Sequence, residues 1–168
     1  ILPEKNPDRS ALCGFEFGYY GGPASIYEDI DIGWARFNQG VTLAKKYGIE
    51  ADIGSPFLLS GEQACEGYEF ASGIPLVSVW QYNSQFGRSF LEMLADIRKA
   101  KGKGKLLPIE WVIRRFKRII MVDDSIVEAN QLMTRLFRIS TLMRKFYPEL
   151  IEKEEISLHL RIACPPKI

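Results

Sequence analysis

The run "KRIIMVDDSIVEANQLMTRL", from Lys117 to Leu136, constrains the fold more than any other stretch. Four apolar residues, Ile119 to Val122, lead straight into two adjacent carboxylates, Asp123 and Asp124. A short apolar run bounded by polar residues reads as a buried strand. Beyond it, from about Asn130, the residues Leu132, Met133, Leu136, Phe137, Met143 and Phe146 recur at helical spacing until Pro148. Neighbouring carboxylates at the end of a buried strand repel each other and resist desolvation. Such a pair calls for a ligand, or for a cap on the turn that follows.

The rest of the chain repeats the strand-then-helix alternation. "FEFGYY" (Phe15 to Tyr20) reads as a strand, broken by Gly21-Gly22-Pro23. Asp31 is placed to cap a helix carrying Trp34, Phe37, Val41, Ala44 and Tyr47, with Gly48 as its C-cap. "IEADIGSPFLL" reads as a strand, Ser60-Gly61 as a turn, Glu62 to Ser72 as a helix closed by Gly73, and "IPLVSVW" as a further strand. Residues 81–105 read as a long basic loop with one helix near Phe90 to Lys99. "ISLHLRIAC" is the last strand. Its alternation puts Ser157, His159 and Arg161 on one face, which makes His159 a solvent-side strand residue rather than a catalytic one.

Strands alternating with helices imply an α/β fold, a mainly parallel sheet with helices on both faces. Its 168 residues and 46% hydrophobic content suit one domain spanning 1–168 with a packed core. In such folds ligands gather at the carboxyl ends of the strands. Asp123-Asp124 and Ser60-Gly61 both lie at such ends.

Three cysteines, Cys13, Cys65 and Cys164, stand far apart, a pattern of neither a disulfide framework nor a zinc site. No apolar run approaches the roughly 18 residues of a membrane span, so no membrane insertion is expected. The opening "ILPEKNPDRS" has no signal-peptide character, and its start at Ile1 suits a processed or excised piece. An intracellular setting, cytoplasm or organelle matrix, is expected rather than secretion.

A hydrophobic strand, Asp-Asp, a short loop and a helix form the motif of phosphoribosyltransferases. "IIMVDDSIV" most resembles the version in the glutamine phosphoribosylpyrophosphate amidotransferase (amidophosphoribosyltransferase) family. "CGFEFGYYGGPAS" is similar to that family's C-x-F-E-Y-x-Y-F-A-R-P-D-S, and "NSQFGRSF" to its N-R-Y-x-x-R-T-F. "ADIGSPFLLSGEQACEGYEFASGIP" follows the family segment that begins A-D-x-V-x-P-V-P-D-S-G and runs to S-G-I-P. "LRIACPP" resembles its closing strand and Pro-Pro. The register holds without gaps through most of the stretch from Cys13 to Pro166. The resemblance implies a type I phosphoribosyltransferase-like domain without the family's glutaminase domain. It also implies that Asp123 and Asp124 descend from carboxylates holding the ribose hydroxyls of phosphoribosyl pyrophosphate, with Ser125, Glu128 and Asn130 in the 5-phosphate loop. Ser60 and Gly61 fall in the pyrophosphate loop, and Asn83, Arg88 and Lys105 in the flexible loop.

The departures fall on the chemistry. P-V-P-D-S-G has become Pro56-Phe57-Leu58-Leu59-Ser60-Gly61, so Leu59 replaces an aspartate. The family's K-N-R is Tyr82-Asn83-Ser84, and its R-G-T-T is Glu128-Ala129-Asn130-Gln131. K-x-N-P is Lys105-Leu106-Leu107-Pro108. A phosphate loop works through converging amides and hydroxyls, with glycine permitting close approach. Charge-assisted hydrogen bonds contribute about 1.5–3 kcal/mol each. Losing two hydroxyls and two cations and adding Glu128 removes affinity on the order of a thousandfold or more. No catalytic residue is therefore assigned, and no metal site. No cofactor is expected, magnesium and phosphoribosyl pyrophosphate being required only if the site is active. Some family members bind an iron–sulfur cluster through a cysteine at the position of Cys13. Cys164 does not complete that set, so no cluster is expected and Cys13 is read as a small core residue.

Polar family positions have become apolar or aromatic at Leu58, Leu59, Tyr82 and Leu107, with Trp80 and Trp111 close in sequence. Either a disused cleft has filled in, or Leu58, Leu59, Tyr82, Leu107 and Trp111 form a surface for a protein partner. Between Arg98 and Arg118 stand nine Lys or Arg residues and one acid, a local charge of +8 against −7 for the rest. That segment is a solvated loop or a partner contact. It lacks the aromatic interleaving of single-strand binders, so nucleic acid ranks below protein. The expectation is a catalytically degenerate subunit of a larger assembly. The alternative is an active phosphoribosyltransferase of purine nucleotide synthesis or salvage.

Overall fold

A strand flanked on both sides and covered on both faces must be apolar throughout. The strand β6 (Arg118–Asp123) is buried from Ile119 onward and holds the centre of a three-stranded parallel sheet, between β3 (Ile53–Pro56) and β7 (Ser157–Ile162). The structure, a computed structural model, describes residues 14, 16–57, 61–82, 106–126, 129–151 and 155–164. Ile53 pairs with Ile119 and Pro56 with Val122, while Arg118 pairs with Ser157 and Asp123 with Ile162.

Alternation along β6 feeds two cores. Ile120 and Val122 point to the side of α1 (Ile32–Tyr47) and α2 (Glu62–Ser72), where they join Ala44, Ala64, Cys65 and Tyr68. Ile119 and Met121 point the other way, to α3 (Glu110–Arg115) and α4 (Ala129–Phe146), among Val112, Ile113, Leu132, Ile139 and Met143. A short helix, α5 (Pro148–Ile151), follows. The expected α/β architecture, a parallel sheet with helices on both faces, is the one observed.

Two antiparallel ribbons complete the described residues. In one, β1 (Ile26–Tyr27) pairs with β2 (Ile30–Asp31) around Glu28 and Asp29, both at positive φ. In the other, β4 (Trp80–Tyr82) pairs with β5 (Leu106–Pro108). The segment "IPLVSVW" is less regular than its sequence suggests. It touches β3 through a single parallel bridge, Leu76 to Gly54, and joins a ladder only at Trp80. The expected loop and helix between 83 and 105 lie outside the described residues.

The helix caps follow the sequence. The Asp31 Oδ1 accepts from the Trp34 amide at 2.9 Å, and Gly73, at φ 73°, ends α2 by donating to the Glu69 carbonyl. "FEFGYY" does not. Glu16–Tyr20 forms a π-helical turn, not a strand. The cause is Arg36, which is buried in α1 and donates from Nε to the Phe17 carbonyl (2.7 Å) and from Nη2 to the Gly21 carbonyl (2.8 Å). A carbonyl captured by a guanidinium has no need of a sheet neighbour.

Both long helices bury a stripe that follows only in part the one their apolar residues mark. In α1 the buried side chains are Ile32, Arg36 and Ala44, with Gly40 between them, while Trp34 and Tyr47 are exposed. A β-carbon on Gly40 would run into the Ala64 carbonyl, and one on Gly67 into that of Phe37. Close backbone approach at these two glycines therefore sets which face of α1 turns inward. In α4, Leu132, Ile139 and Met143 are buried, and Met133 and Phe137 face outward.

Candidate functional site

The parallel strands β3 and β6 end together, at Pro56 and Asp123. One more ladder bond, from the Phe57 amide to the Val122 carbonyl (2.8 Å), carries the first chain past its strand. Gly61 then donates to the Phe57 carbonyl at 3.1 Å and accepts from Cys65 at the start of α2. A β-carbon on Gly61 would meet the Val122 carbonyl and come within 3.0 Å of the Asp123 Cα. Glycine here lets the start of α2 lie directly against the end of β6.

Asp123 and Asp124 lie at that end, and both are buried, Asp124 to 4% exposure. Two of their side-chain hydrogen bonds are local. The Asp123 Oδ1 accepts from the Asp124 amide at 3.0 Å, and the Asp124 Oδ1 accepts from the Ser125 hydroxyl at 3.2 Å. Their carbonyls accept from Ala163 (2.9 Å) and Cys164 (2.8 Å), which fastens the chain beyond β7 to the same point. Ser125 is half-buried, and Asn130 is exposed in the first turn of α4. Ser60, Asn83, Arg88, Lys105, Glu128, Leu58 and Leu59 lie outside the described residues.

The apolar candidates separate. Tyr82 and Leu107 are exposed on the second ribbon, and Trp111 on α3. Tyr82 lies opposite Leu106, whereas Leu107 lies opposite Gln81. Period-two alternation then puts Tyr82 and Leu107 on opposite faces of the ribbon. Trp80 does not line the cleft. It is buried in the core beneath the ribbon, its indole Nε1 without a hydrogen-bond partner, and the Arg138 guanidinium stands 5.9 Å from its ring.

Other titratable groups are occupied structurally. Asp52, just before β3, accepts from the Lys117 and Arg118 amides (2.9 Å each) and from the Arg118 Nε (3.0 Å). Burial pushes its carboxyl up, but these bonds and the Arg118 charge hold it below the usual range. Burial, together with Glu69 and Glu66, pushes the Cys65 thiol up to about 12, far from a reactive thiolate. His159 is half-buried on β7, and burial and Arg161 lower its pKa. Cys13 lies outside the described residues. The sequence reading missed Asp52 and Arg36, because each acts on backbone groups remote in sequence.

No family model matches the chain. Among curated proteins, it is 35% identical to an amidophosphoribosyltransferase from Pyrococcus horikoshii over 93% of this chain and 32% of that protein. It is 34% identical to the rat amidophosphoribosyltransferase over 99% of this chain and 30% of that protein. Among solved structures it matches a glutamine phosphoribosylpyrophosphate amidotransferase from B. subtilis, complexed with ADP and GMP, with a TM-score of 0.66 and 31% identity over 92% of this chain and 31% of the other. The chain thus spans about a third of the length of these relatives. With carboxylates at the end of the central parallel strand and this likeness over almost its whole length, the chain is a relative of the amidophosphoribosyltransferases, with the type I phosphoribosyltransferase fold.

Proposed function

We propose that this chain is a phosphoribosyltransferase-fold subunit that no longer transfers a phosphoribosyl group and serves a structural role in a larger, intracellular protein assembly. One observation carries the reading. At the strand end where a ribose and its phosphates would sit, both carboxylates are buried and accept hydrogen bonds from their own local chain. A magnesium-bearing diphosphate needs carboxylate oxygens presented outward, with cations and amides around them. The sequence supplies Leu59 and Glu128 at the corresponding family positions instead. The partner is a protein, met through apolar residues among Leu58, Leu59, Tyr82, Leu107 and Trp111, of which Tyr82 and Leu107 lie on opposite faces of their ribbon. Nucleic acid is disfavoured because the basic segment lacks regular aromatic interleaving, and three of its described cations are engaged within the chain. Arg118 pairs with Asp52 and Glu50, Arg114 pairs with Glu110 and stacks on Phe146, and Lys117 stands over Tyr147.

Titration calorimetry with phosphoribosyl pyrophosphate and magnesium tests this. Binding no tighter than about millimolar is expected. Micromolar binding that Asp124→Asn abolishes would overturn it. If the frame is intact, Leu59→Asp combined with Glu128→Arg, Ala129→Gly, Asn130→Thr and Gln131→Thr recovers measurable binding. The second reading, an active phosphoribosyltransferase of purine nucleotide synthesis, is favoured by the retention of Asp123 and Asp124 at the strand end.

A further inference from the structure

The edge of the sheet opposite Asp123 and Asp124 carries a 420 Å³ hollow. There α1 and α2 end, at Tyr47 and Ser72, and β3 and β6 begin, at Ile53 and Arg118. Ile49, Ala51 and Ile74 line it and are only partly buried against the core, so they give it an apolar wall. Glu50 and Arg118 line it as well. This volume falls in the range of small-molecule sites, which combine apolar walls with a few placed polar groups. The Ser72 hydroxyl, also in the lining, is already engaged. It donates to the Tyr68 carbonyl at 2.7 Å and accepts from the Ile74 amide at 3.2 Å. The recognition chemistry of the hollow therefore centres on one cation, Arg118.

Arg118 is held from one side. Its Nε lies 3.0 Å and its Nη2 2.9 Å from the Asp52 Oδ1. The other Asp52 oxygen accepts from the Lys117 and Arg118 amides. These contacts fix the guanidinium in advance, so little side-chain freedom is lost when it takes a further partner. Its Nη1 donates to the Glu50 Oε2 at 3.0 Å. The two carboxylates differ in their surroundings, since the Glu50 side chain is 91% exposed and that of Asp52 27%. A fully solvated carboxylate on a surface cation contributes little and is easily displaced. Arg118 thus has one fixed partner and one exchangeable partner, and the exchangeable one borders an apolar hollow.

We propose that this hollow is a binding site for a small organic monocarboxylate, whose carboxylate takes the place of Glu50 on the Arg118 Nη1 and whose apolar body lies against Ile49 and Ile74. Glu50 is its stand-in within the chain, a singly charged carboxylate already seated on that nitrogen. A phosphate calls for several converging donors, whereas here one guanidinium nitrogen is on offer and the Asp52 charge beside it opposes a dianion. Arg118 and Asp123 stand at opposite ends of β6, so the inference holds whether or not a phosphoribosyl ligand binds.

Equilibrium binding of naphthalene-2-carboxylate, followed by its fluorescence, tests this, with naphthalene-2-carboxamide as the neutral control. The acid is expected to bind, and the amide to bind weaker by about tenfold or more. Glu50→Ala removes the resident competitor and should tighten the acid by about threefold or more, whereas a purely structural role for Glu50 predicts unchanged or weaker binding. Ala51→Phe fills the hollow without touching Arg118 and should abolish binding while circular dichroism stays unchanged. Acetate should displace the acid at lower concentration than inorganic phosphate does. Absence of binding by the acid, equal binding of acid and amide, no tightening in Glu50→Ala, a folded Ala51→Phe that still binds, or phosphate displacing better than acetate overturns the proposal.

Discussion

At Asp52 one carboxylate ties the entry of β3 to the entry of β6. It takes two backbone amides and a guanidinium from residues 65 and 66 positions away. Asp52→Ala strands both amides, and an unsatisfied partner of a charged group costs about 2 kcal/mol, readable as a lower urea midpoint. The pH dependence has a definite sign. Because the folded carboxyl is held below its ordinary pKa, the unfolded chain binds the proton first as pH falls. The stabilisation is whole above the ordinary carboxylate pKa of about 3.9 and is lost as pH falls through the lowered folded value. Wild type and Asp52→Ala should therefore converge in stability in acid and diverge toward neutrality. Surveying the pair by thermal melts checks this, and a constant difference down to strong acid would refute it. Sequence gave no warning of this residue. Asp-before-strand is common, and nothing local reveals which distant amides it will meet.

The element scale shows where local reading succeeds. Both long helices of the first half begin and end where their caps stand, at Asp31 and Gly73, because a cap acts within one turn. The π turn was misread for the opposite reason: its determinant, Arg36, lies 15 to 19 positions downstream. The inward face of α1 was misread as well. Hydrophobicity favoured Trp34 and Tyr47, but backbone contact at Gly40 and Gly67 decides the rotation. This makes Gly67→Ala an informative change. Alanine gains about 1 kcal/mol in helix propensity, yet its methyl meets the Phe37 carbonyl, so a net loss of about 2 kcal/mol is expected in chemical denaturation. At the candidate site the strand ends were legible, since an apolar run meeting Asp-Asp leaves little choice. The division of Tyr82 and Leu107 between two faces was not, because it depends on ribbon register, which a single sequence does not state.

At the scale of the whole molecule, the sheet is built from strands contributed by widely separated parts of the chain. β3 forms a ladder with β6 and only a single bridge, at Leu76, with the segment that follows α2 among the described residues, and β6 pairs in turn with β7. Removing everything after Phe116 should accordingly abolish cooperative thermal unfolding, although α1 and α2 with their glycine crossing would be retained; a sharp transition in such a truncated chain would contradict this. The central position of β6 also bears on how the protein comes into being. During synthesis, β3 and the apolar undersides of α1 and α2 leave the ribosome long before Arg118 to Asp123 is made. Until then the carbonyls and amides of β3 have no ladder on that side, and Ala64, Cys65 and Tyr68 have neither Ile120 nor Val122 to cover them. Loop closure over such a span comes before the contacts that reward it, which slows folding and leaves a sticky nascent intermediate. The late arrival of one six-residue strand therefore sets the period during which the growing chain most needs a chaperone.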